Sequence, residues 1–134
     1  MQERQRIVVL DDYEVFASLL ATALESDYDV AVGLNGRQGI QLCLAARTDL
    51  LITDIGMPEL DGIQMLKEFQ KDQRLSGIPV IVVTATHFTT QNRSDVTRYP
   101  QVKSVLSKTS DINSIIEKVR KVLKESYGSG PAAK

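Results

Sequence analysis

Short hydrophobic runs and amphipathic stripes alternate along the whole chain. The runs are rich in Val, Ile and Leu and predict five strands, at residues 7–10, 28–32, 50–53, 79–84 and 102–106. They show little alternation of polar and apolar residues, which is typical of strands covered on both faces. Strands that alternate with helices favour right-handed crossovers between parallel neighbours. We therefore expect an α/β fold: a doubly wound, five-stranded parallel sheet of flavodoxin-like order 2-1-3-4-5, with helices on both faces.

The segments between the strands carry apolar residues at spacings of three and four, which predicts helices with one buried face. For the first three helices, the expected inward residues are Phe16, Leu19, Leu20, Ala23 and Leu24, then Ile40, Cys43 and Leu44, then Ile63, Leu66 and Phe69. For the last helix, they are Ile112, Ile115, Ile116, Val119, Val122 and Leu123. Ser110 is the expected N-cap of that helix. The helix prediction is weakest over residues 91–99, where Asn, Ser, Asp and Thr compete with helical hydrogen bonds.

Composition adds limits to this picture. The 134 residues suit one domain, which we place at residues 1–125, and residues 126–134 are predicted to be a flexible tail or linker, or an end added by cloning. The net charge of −1 provides no overall attraction to nucleic acid or to an anionic membrane. No apolar run approaches the length that spans a bilayer. The single Cys43, expected to be buried, excludes an intrachain disulfide and is typical of the cytoplasm.

Carboxylates follow two of the predicted strands. Asp11 and Asp12 come directly after the first strand, and Asp54 follows the third. In the order 2-1-3-4-5 these strands are neighbours, and ligands bind at the switch point between them. Carboxylates gathered there would repel one another without a cation, and hard oxygen ligands suit Mg²⁺. The sequence therefore predicts a magnesium site beside a reactive aspartate.

Two further polar residues follow the remaining strands. Thr84 ends the fourth strand, and Lys108 lies just past the fifth. A phosphoryl group on Asp54 would need cations around its oxygens, which Mg²⁺ and Lys108 supply, and a hydroxyl donor such as Thr84. A carboxylate nucleophile that forms an aspartyl-phosphate fits this arrangement.

Together these motifs resemble the receiver domain of two-component response regulators, of the chemotaxis-regulator type. The resemblance rests on Asp11-Asp12, on Asp54 with Met57-Pro58 and Asp61-Gly62, on Thr84-Ala85, and on Lys108, in the family's order and with similar spacing. It covers the chain from about residue 7 to about residue 123.

The resemblance implies a function and residue roles. A sensor histidine kinase or a phosphotransfer protein would donate a phosphoryl group from a phosphohistidine to Asp54, in a Mg²⁺-dependent reaction. Asp12, Asp54 and the backbone carbonyl of Gly56 would hold the metal, with Asp11 acting largely through water. Lys108, Thr84 and the backbone of Ala85 would bind the phosphoryl group. The domain would catalyse only its own phosphotransfer and autodephosphorylation, so it is not expected to be an enzyme in the usual sense.

Two positions depart from the family pattern. Thr109 follows the lysine where the family usually has proline, often after a cis peptide bond, and Val105 replaces the aromatic residue whose rotamer follows the switch threonine. These departures favour an alternative, a non-phosphorylated interaction module of the same fold, whereas the intact acidic site opposes it. A hydrolase with Asp54 as nucleophile ranks below both, because Gly56 provides no acid or base.

Without an aromatic residue at Val105, the signal is expected to pass through the polar segment 87–100. A homodimer or an effector would then contact the surface formed by residues 87–123. Its expected apolar contacts are Phe88, Val96 and Tyr99.

Overall fold

The five predicted strands form one parallel sheet. The computed structural model describes residues 4–85 and 94–128, and the strand order is β2-β1-β3-β4-β5, with every pairing parallel. This confirms the predicted doubly wound fold and its order. The strands are β1 (Arg6–Leu10), β2 (Asp29–Gly33), β3 (Leu50–Thr53), β4 (Val80–Thr84) and β5 (Val102–Ser107).

Helices cover both faces of this sheet. Because successive strand residues point to opposite faces, each strand contributes to two separate hydrophobic clusters. One cluster packs beneath α2, α3 and α4, and the other packs beneath α1 and α5. The helices are α1 (Glu14–Leu24), α2 (Gly36–Ala45), α3 (Gly62–Phe69), the short α4 (Gln73–Ser76) and α5 (Ile112–Tyr127).

Local caps begin two of these helices. The side chain of Asn35 accepts a hydrogen bond from the backbone of Gln38 at the start of α2. At the start of α3, Asp61 and Gln64 bond reciprocally to each other's backbone N–H, which is a capping box. The last helix differs from the prediction, because its N-cap is Asp111 rather than Ser110.

Two leucines predicted to face the core are exposed instead. Leu19 on α1 is 55% exposed and Leu44 on α2 is 39% exposed. A spacing of three and four places both on an apolar stripe, but the packed sheet covers only part of that stripe. In α1 the buried residues are Ala17, Leu20 and Leu24.

The region between α3 and β5 contains a short helix that periodicity did not predict. Helix α4 has four residues, too few for an apolar stripe to appear. Residues 94–97 form a further helical segment, in agreement with part of the predicted helix, while residues 91–93 lie outside the described residues. Val96 is fully buried in the cluster beneath α2 and α3, so its prediction as a surface contact is wrong. Phe88 lies outside the described residues.

The end of the domain and the single cysteine can be placed directly. Helix α5 continues to Tyr127, beyond the domain boundary predicted at residue 125. Cys43 is buried as predicted, and burial raises the pKa of its thiol to about 11. Within residues 4–85 and 94–128, no helix has the length and apolar character needed to cross a bilayer.

Candidate functional site

The carboxyl ends of β1 and β3 lie side by side. Leu10 pairs with Thr53 in the sheet, and the backbone N–H of Asp54 donates to the carbonyl of Leu10 across 3.0 Å. The residues that follow the two strands, Asp11 and Asp54, therefore share one position at the edge of the sheet. Both are nearly inaccessible, with 2% and 6% of their surface exposed.

Lys108 joins these two carboxylates. Its Nζ lies 2.8 Å from Oδ2 of Asp11 and 2.9 Å from Oδ2 of Asp54. The backbone N–H of Lys108 donates to the carbonyl of Thr84 at 2.8 Å, which fixes the start of the lysine at the end of β4. The side chain that directly follows the edge strand β5 thus reaches the residues that follow β1 and β3.

Backbone donors orient the other oxygen of each carboxylate. The N–H of Tyr13 donates to Oδ1 of Asp11 at 2.9 Å, and the N–H of Ile55 donates to Oδ1 of Asp54 at 2.7 Å. Each aspartate is therefore fixed by its own loop on one side and by Lys108 on the other.

Burial and pairing shift two pKa values at this site. Burial raises the pKa of Asp11 above its ordinary value of 3.8, although the hydrogen bonds from Lys108 and Tyr13 oppose the shift. Burial alone would lower the pKa of Lys108, but its bonds to Asp11 and Asp54 outweigh burial and raise it. The ammonium form of Lys108 is therefore strongly favoured at neutral pH.

Asp12 completes an acidic group. One carboxylate oxygen from each of Asp11, Asp12 and Asp54 lies within 4.8 Å of the others, and Asp12 is exposed whereas the other two are buried. In the part of the chain that the structure describes, these three carboxylates face the ammonium of Lys108 alone, which leaves an excess of negative charge. Oxygen donors of this type and spacing suit a hard divalent cation.

Thr84 differs from the other buried polar groups. Its residue is fully buried, and among the described residues its Oγ1 has no hydrogen-bond partner. A buried hydroxyl without a partner is costly, so a group of this kind in a native structure calls for an explanation. Ala85 follows it directly and is the last described residue before the gap at 86–93.

The loop after β3 is held close to the carboxyl end of the strand. A Cβ added at Gly62 would lie 2.5 Å from the carbonyl oxygen of Asp54, so only glycine fits there. The N–H of Gly62 also donates to the carbonyl of Ile55 at 2.8 Å. Asp61-Gly62 therefore has a structural role: Asp61 caps α3, and Gly62 allows the loop to approach the end of β3 closely. Gly56 lies exposed in the same loop.

The two departures from the family pattern are also visible. No cis peptide bond occurs among the described residues, so the Lys108–Thr109 bond is trans. Val105 pairs with Val82 in the sheet and packs, partly buried, against the cluster beneath α2 and α3. Sequence reasoning missed two contacts of Lys108: its direct pairing with Asp11, and the ring of Phe16, 5.4 Å from Nζ to the centroid. Phe16 was interpreted as a core residue only.

A comparison with known families identifies the domain. The profile of the response regulator receiver domain matches residues 7–120. This chain belongs to the receiver domain family. Receiver domains are regulatory components of two-component signalling, and this is the function that the sequence predicted. Receiver domains interact with histidine kinases or phosphotransfer proteins and generally bind Mg²⁺ at their acidic site.

Curated relatives agree with this assignment. The receiver domain is 29% identical over 118 residues to the polar-differentiation response regulator DivK of Brucella anthropi, covering 87% of this chain and 94% of DivK. It is 28% identical over 131 residues to the DNA-binding dual master transcriptional regulator RpaA of Synechocystis sp., covering 96% of this chain. The match spans 53% of RpaA, so this chain corresponds to about half of that protein.

Solved structures agree as well. The receiver domain of the Francisella response regulator 1452 is 27% identical and superposes with a TM-score of 0.79, covering 92% of this chain and 99% of that one. The response regulator TrrA of Thermotoga maritima, in complex with Mg²⁺-BeF, is 28% identical with a TM-score of 0.74, covering 88% and 98%.

Proposed function

We propose that Asp54 is the phosphoacceptor of this receiver domain. The observation that carries the proposal is the position of Asp54: a buried carboxylate at the end of a central strand, in contact with Lys108 and beside two further carboxylates. A carboxylate oxygen of Asp54 would attack the phosphorus of a phosphohistidine on a sensor histidine kinase or a phosphotransfer protein. The bond from phosphorus to the histidine nitrogen breaks as the bond to the carboxylate oxygen forms, and the imidazole leaves with the electron pair.

The charges at this site suit that transfer. The phosphoryl group carries negative charge on its three equatorial oxygens, and the ammonium of Lys108 is 2.9 Å from the acceptor carboxylate. Once Asp54 is phosphorylated, Lys108 is free to pair with phosphoryl oxygens while it keeps Asp11. The unpartnered hydroxyl of Thr84 and the backbone of Ala85 are the further donors that we assign to this group.

A magnesium ion fits the acidic group. We assign Asp12, Asp54 and the backbone carbonyl of Gly56 as its protein ligands, with Asp11 nearby and acting through water. When bound, the ion neutralises charge on the acidic group and on the incoming phosphoryl group. The excess of carboxylates over ammonium groups supports this assignment, because it would otherwise be repulsive.

Phosphorylation then changes the surface that partners contact. The surface of residues 87–123 is the contact that we assign to a homodimer or an effector. Tyr99 remains one of its expected apolar contacts, and the buried Val96 does not. Loss of the phosphoryl group by hydrolysis resets the domain. This step should be slow, because Gly56 has no side chain that could position the attacking water. The contacts of Lys108 with Asp11 and Asp54 argue against the non-phosphorylated alternative, because they keep the acidic site assembled.

Phosphorylation by a small phosphodonor tests the assignment. The protein is incubated with acetyl phosphate and Mg²⁺, and its intact mass should increase by one phosphoryl group. Asp54→Asn should abolish the increase completely. Asp49→Asn is the matched control, because it alters a buried carboxylate at the other end of the same strand. Labelling that survives in Asp54→Asn would overturn the assignment.

A further inference from the structure

An aromatic ring lies against the lysine of the site. The Nζ of Lys108 is 5.4 Å from the centroid of the Phe16 ring and lies over its face. Phe16 belongs to the first turns of α1, so it comes from a different element than Asp11, Asp54 or Lys108. An ammonium within about 6 Å of a ring centroid is attracted by the negative face of the ring.

Packing alone does not account for this arrangement. Phe16 is partly buried against the cluster beneath α1 and α5, and a leucine or methionine would fill a similar volume there. Only an aromatic residue presents a negatively polarised face to the ammonium. The side chain of Lys108 is 22% exposed, so the ring shields one side of the ammonium from water and strengthens its remaining interactions.

The ring is also the partner of Lys108 that phosphorylation leaves chemically unchanged. In the resting domain two carboxylates hold the ammonium. One of them, Asp54, would become an acyl phosphate on phosphotransfer, and the acidic group would also bind a cation. A lysine has four rotatable side-chain bonds and considerable rotamer entropy, so a fixed neutral contact keeps it near the acceptor through this exchange of partners.

We propose that Phe16 is a positioning residue for Lys108, a role that rests on the proposed phosphoacceptor function of the site. The face of the ring holds the ammonium beside Asp54 both before and after phosphoryl transfer. Phe16 does not touch the reacting atoms, and it acts only through the lysine.

The test varies the negative polarisation of the ring face at position 16 while the size of the side chain changes little. Phe16→Leu should lower the rate of labelling by acetyl phosphate, and the affinity for beryllofluoride with Mg²⁺, by roughly two- to tenfold, as expected for a partly shielded ammonium–ring contact. Phe16→Tyr should stay within about twofold of the wild type, because the ring face is retained. Phenylalanines with one, two and three ring fluorines at position 16 should lower both quantities progressively, since fluorine withdraws charge from the face while volume changes little.

Two controls distinguish a loss of lysine positioning from a general loss of stability. Tyr28→Leu removes a partly buried aromatic residue from the same cluster and should change neither quantity. The ε-methylene protons of Lys108 should show an upfield ring-current shift in NMR spectra of the wild type, and this shift should disappear in Phe16→Leu.

Each outcome decides between the two proposals. If the wild type is labelled at Asp54 but Phe16→Leu and the fluorinated series match its rate, the positioning role is wrong and the phosphoacceptor assignment stands. If the wild type cannot be labelled at Asp54, both are overturned.

Discussion

The two ends of the sheet contain similar residues in different states. At the carboxyl ends of the strands, Asp11, Asp12 and Asp54 face one ammonium, and the buried hydroxyl of Thr84 has no partner among the described residues. At the opposite end, where the strands begin, arginines and aspartates also converge. There, the groups are engaged in fixed bonds.

The arginines at the starting end of the strands close the ends of helices. Arg4 donates to the carbonyls of Glu25 and Tyr28, just past α1. Arg6 donates through one nitrogen to the carbonyls of Leu42 and Ala46 at the end of α2, and to the hydroxyl of Thr48. The last carbonyls of a helix have no intrahelical partner, and they carry the negative end of the helix dipole. A cation near them is therefore stabilising.

The buried carboxylate at this end is equally engaged. Oδ2 of Asp49 accepts from the backbone of Arg6 at 2.9 Å, and Oδ1 pairs with Arg47 at 2.9 Å. The comparison shows that residue type alone does not mark a functional site. Among the described residues, the two ends differ in the capacity left for a ligand. One end has excess negative charge and a hydroxyl without a partner, and at the other end the arginines and the buried carboxylate already have partners.

The largest expected effect on stability is at the end of the sheet where the strands begin. Asp49→Ala leaves the N–H of Arg6 without its acceptor at the start of β1, so the free energy of unfolding should fall by about 2–3 kcal/mol. Labelling by acetyl phosphate should be unchanged in the folded protein. Arg47→Ala is the control, because it removes an exposed partner and should cost less than about 1 kcal/mol. Urea denaturation measures both, and an equal loss in the two variants would contradict this account.

The next effect concerns metal binding at the carboxyl ends of the strands. Asp12→Asn should weaken Mg²⁺ binding at least about tenfold, the lower range for loss of even an outer-shell partner. The same change should raise the melting temperature without metal, because it reduces the repulsion among three carboxylates. Metal titration followed by thermal melts tests both signs. Asp29→Asn, an exposed carboxylate at the starting end of the strands, should change neither, and a matching loss there would remove the distinction between the ends.

These contrasts also explain how far the sequence could be interpreted. Asp54 and Lys108 were predictable because a charged residue directly after a buried run is distinctive, and the strand order places such residues at one edge. The caps formed by Arg4 and Arg6 were not predictable, since each joins residues more than twenty positions apart. Helical spacing identified an apolar stripe in α1 but could not show that Leu19 faces outward, because coverage depends on neighbouring elements.

Thr84 and Thr53 provide a comparison of bonded and unbonded hydroxyls at the same end of the sheet. Thr84→Val should raise the free energy of unfolding by about 1 kcal/mol, because an unsatisfied buried hydroxyl is replaced by a methyl group of the same shape. Thr53→Val should lower it by about 1 kcal/mol, since the hydroxyl of Thr53 donates to the carbonyl of Asp54 at 2.8 Å. Chemical denaturation should therefore give opposite signs. If both variants lose stability, Thr84 has a partner in the resting domain.

The pH dependence of stability should reveal the state of Asp11. Its raised pKa means that the folded protein holds this proton more tightly than the unfolded chain does. The stabilising contribution is therefore full below pH 3.8, the ordinary value, and is lost as pH rises through the raised pKa. Asp11→Asn cannot lose a proton, so its stability relative to the wild type should increase from about pH 4 upward and then level off. Denaturation across that range measures the difference; a decrease would mean that pairing with Lys108 outweighs burial.

The smallest expected effect concerns the bond that fixes the end of α5. The hydroxyl of Tyr127 donates to the carbonyl of Asp49 at 2.8 Å, and burial, with the Asp49 carboxylate, raises the pKa of Tyr127. Tyr127→Phe should lower the free energy of unfolding by about 0.5–1 kcal/mol at neutral pH and leave labelling at Asp54 unchanged. The stabilising contribution of the tyrosine is full below its ordinary pKa of 10.0 and is lost as pH rises through the raised value, so the difference between variant and wild type should shrink in alkaline solution.

Tyr13→Phe, at an exposed tyrosine beside the acidic group, should leave stability unchanged. An altered labelling rate in Tyr127→Phe would show that the two ends of the sheet are coupled, and their separation into a structural end and a functional end would then fail.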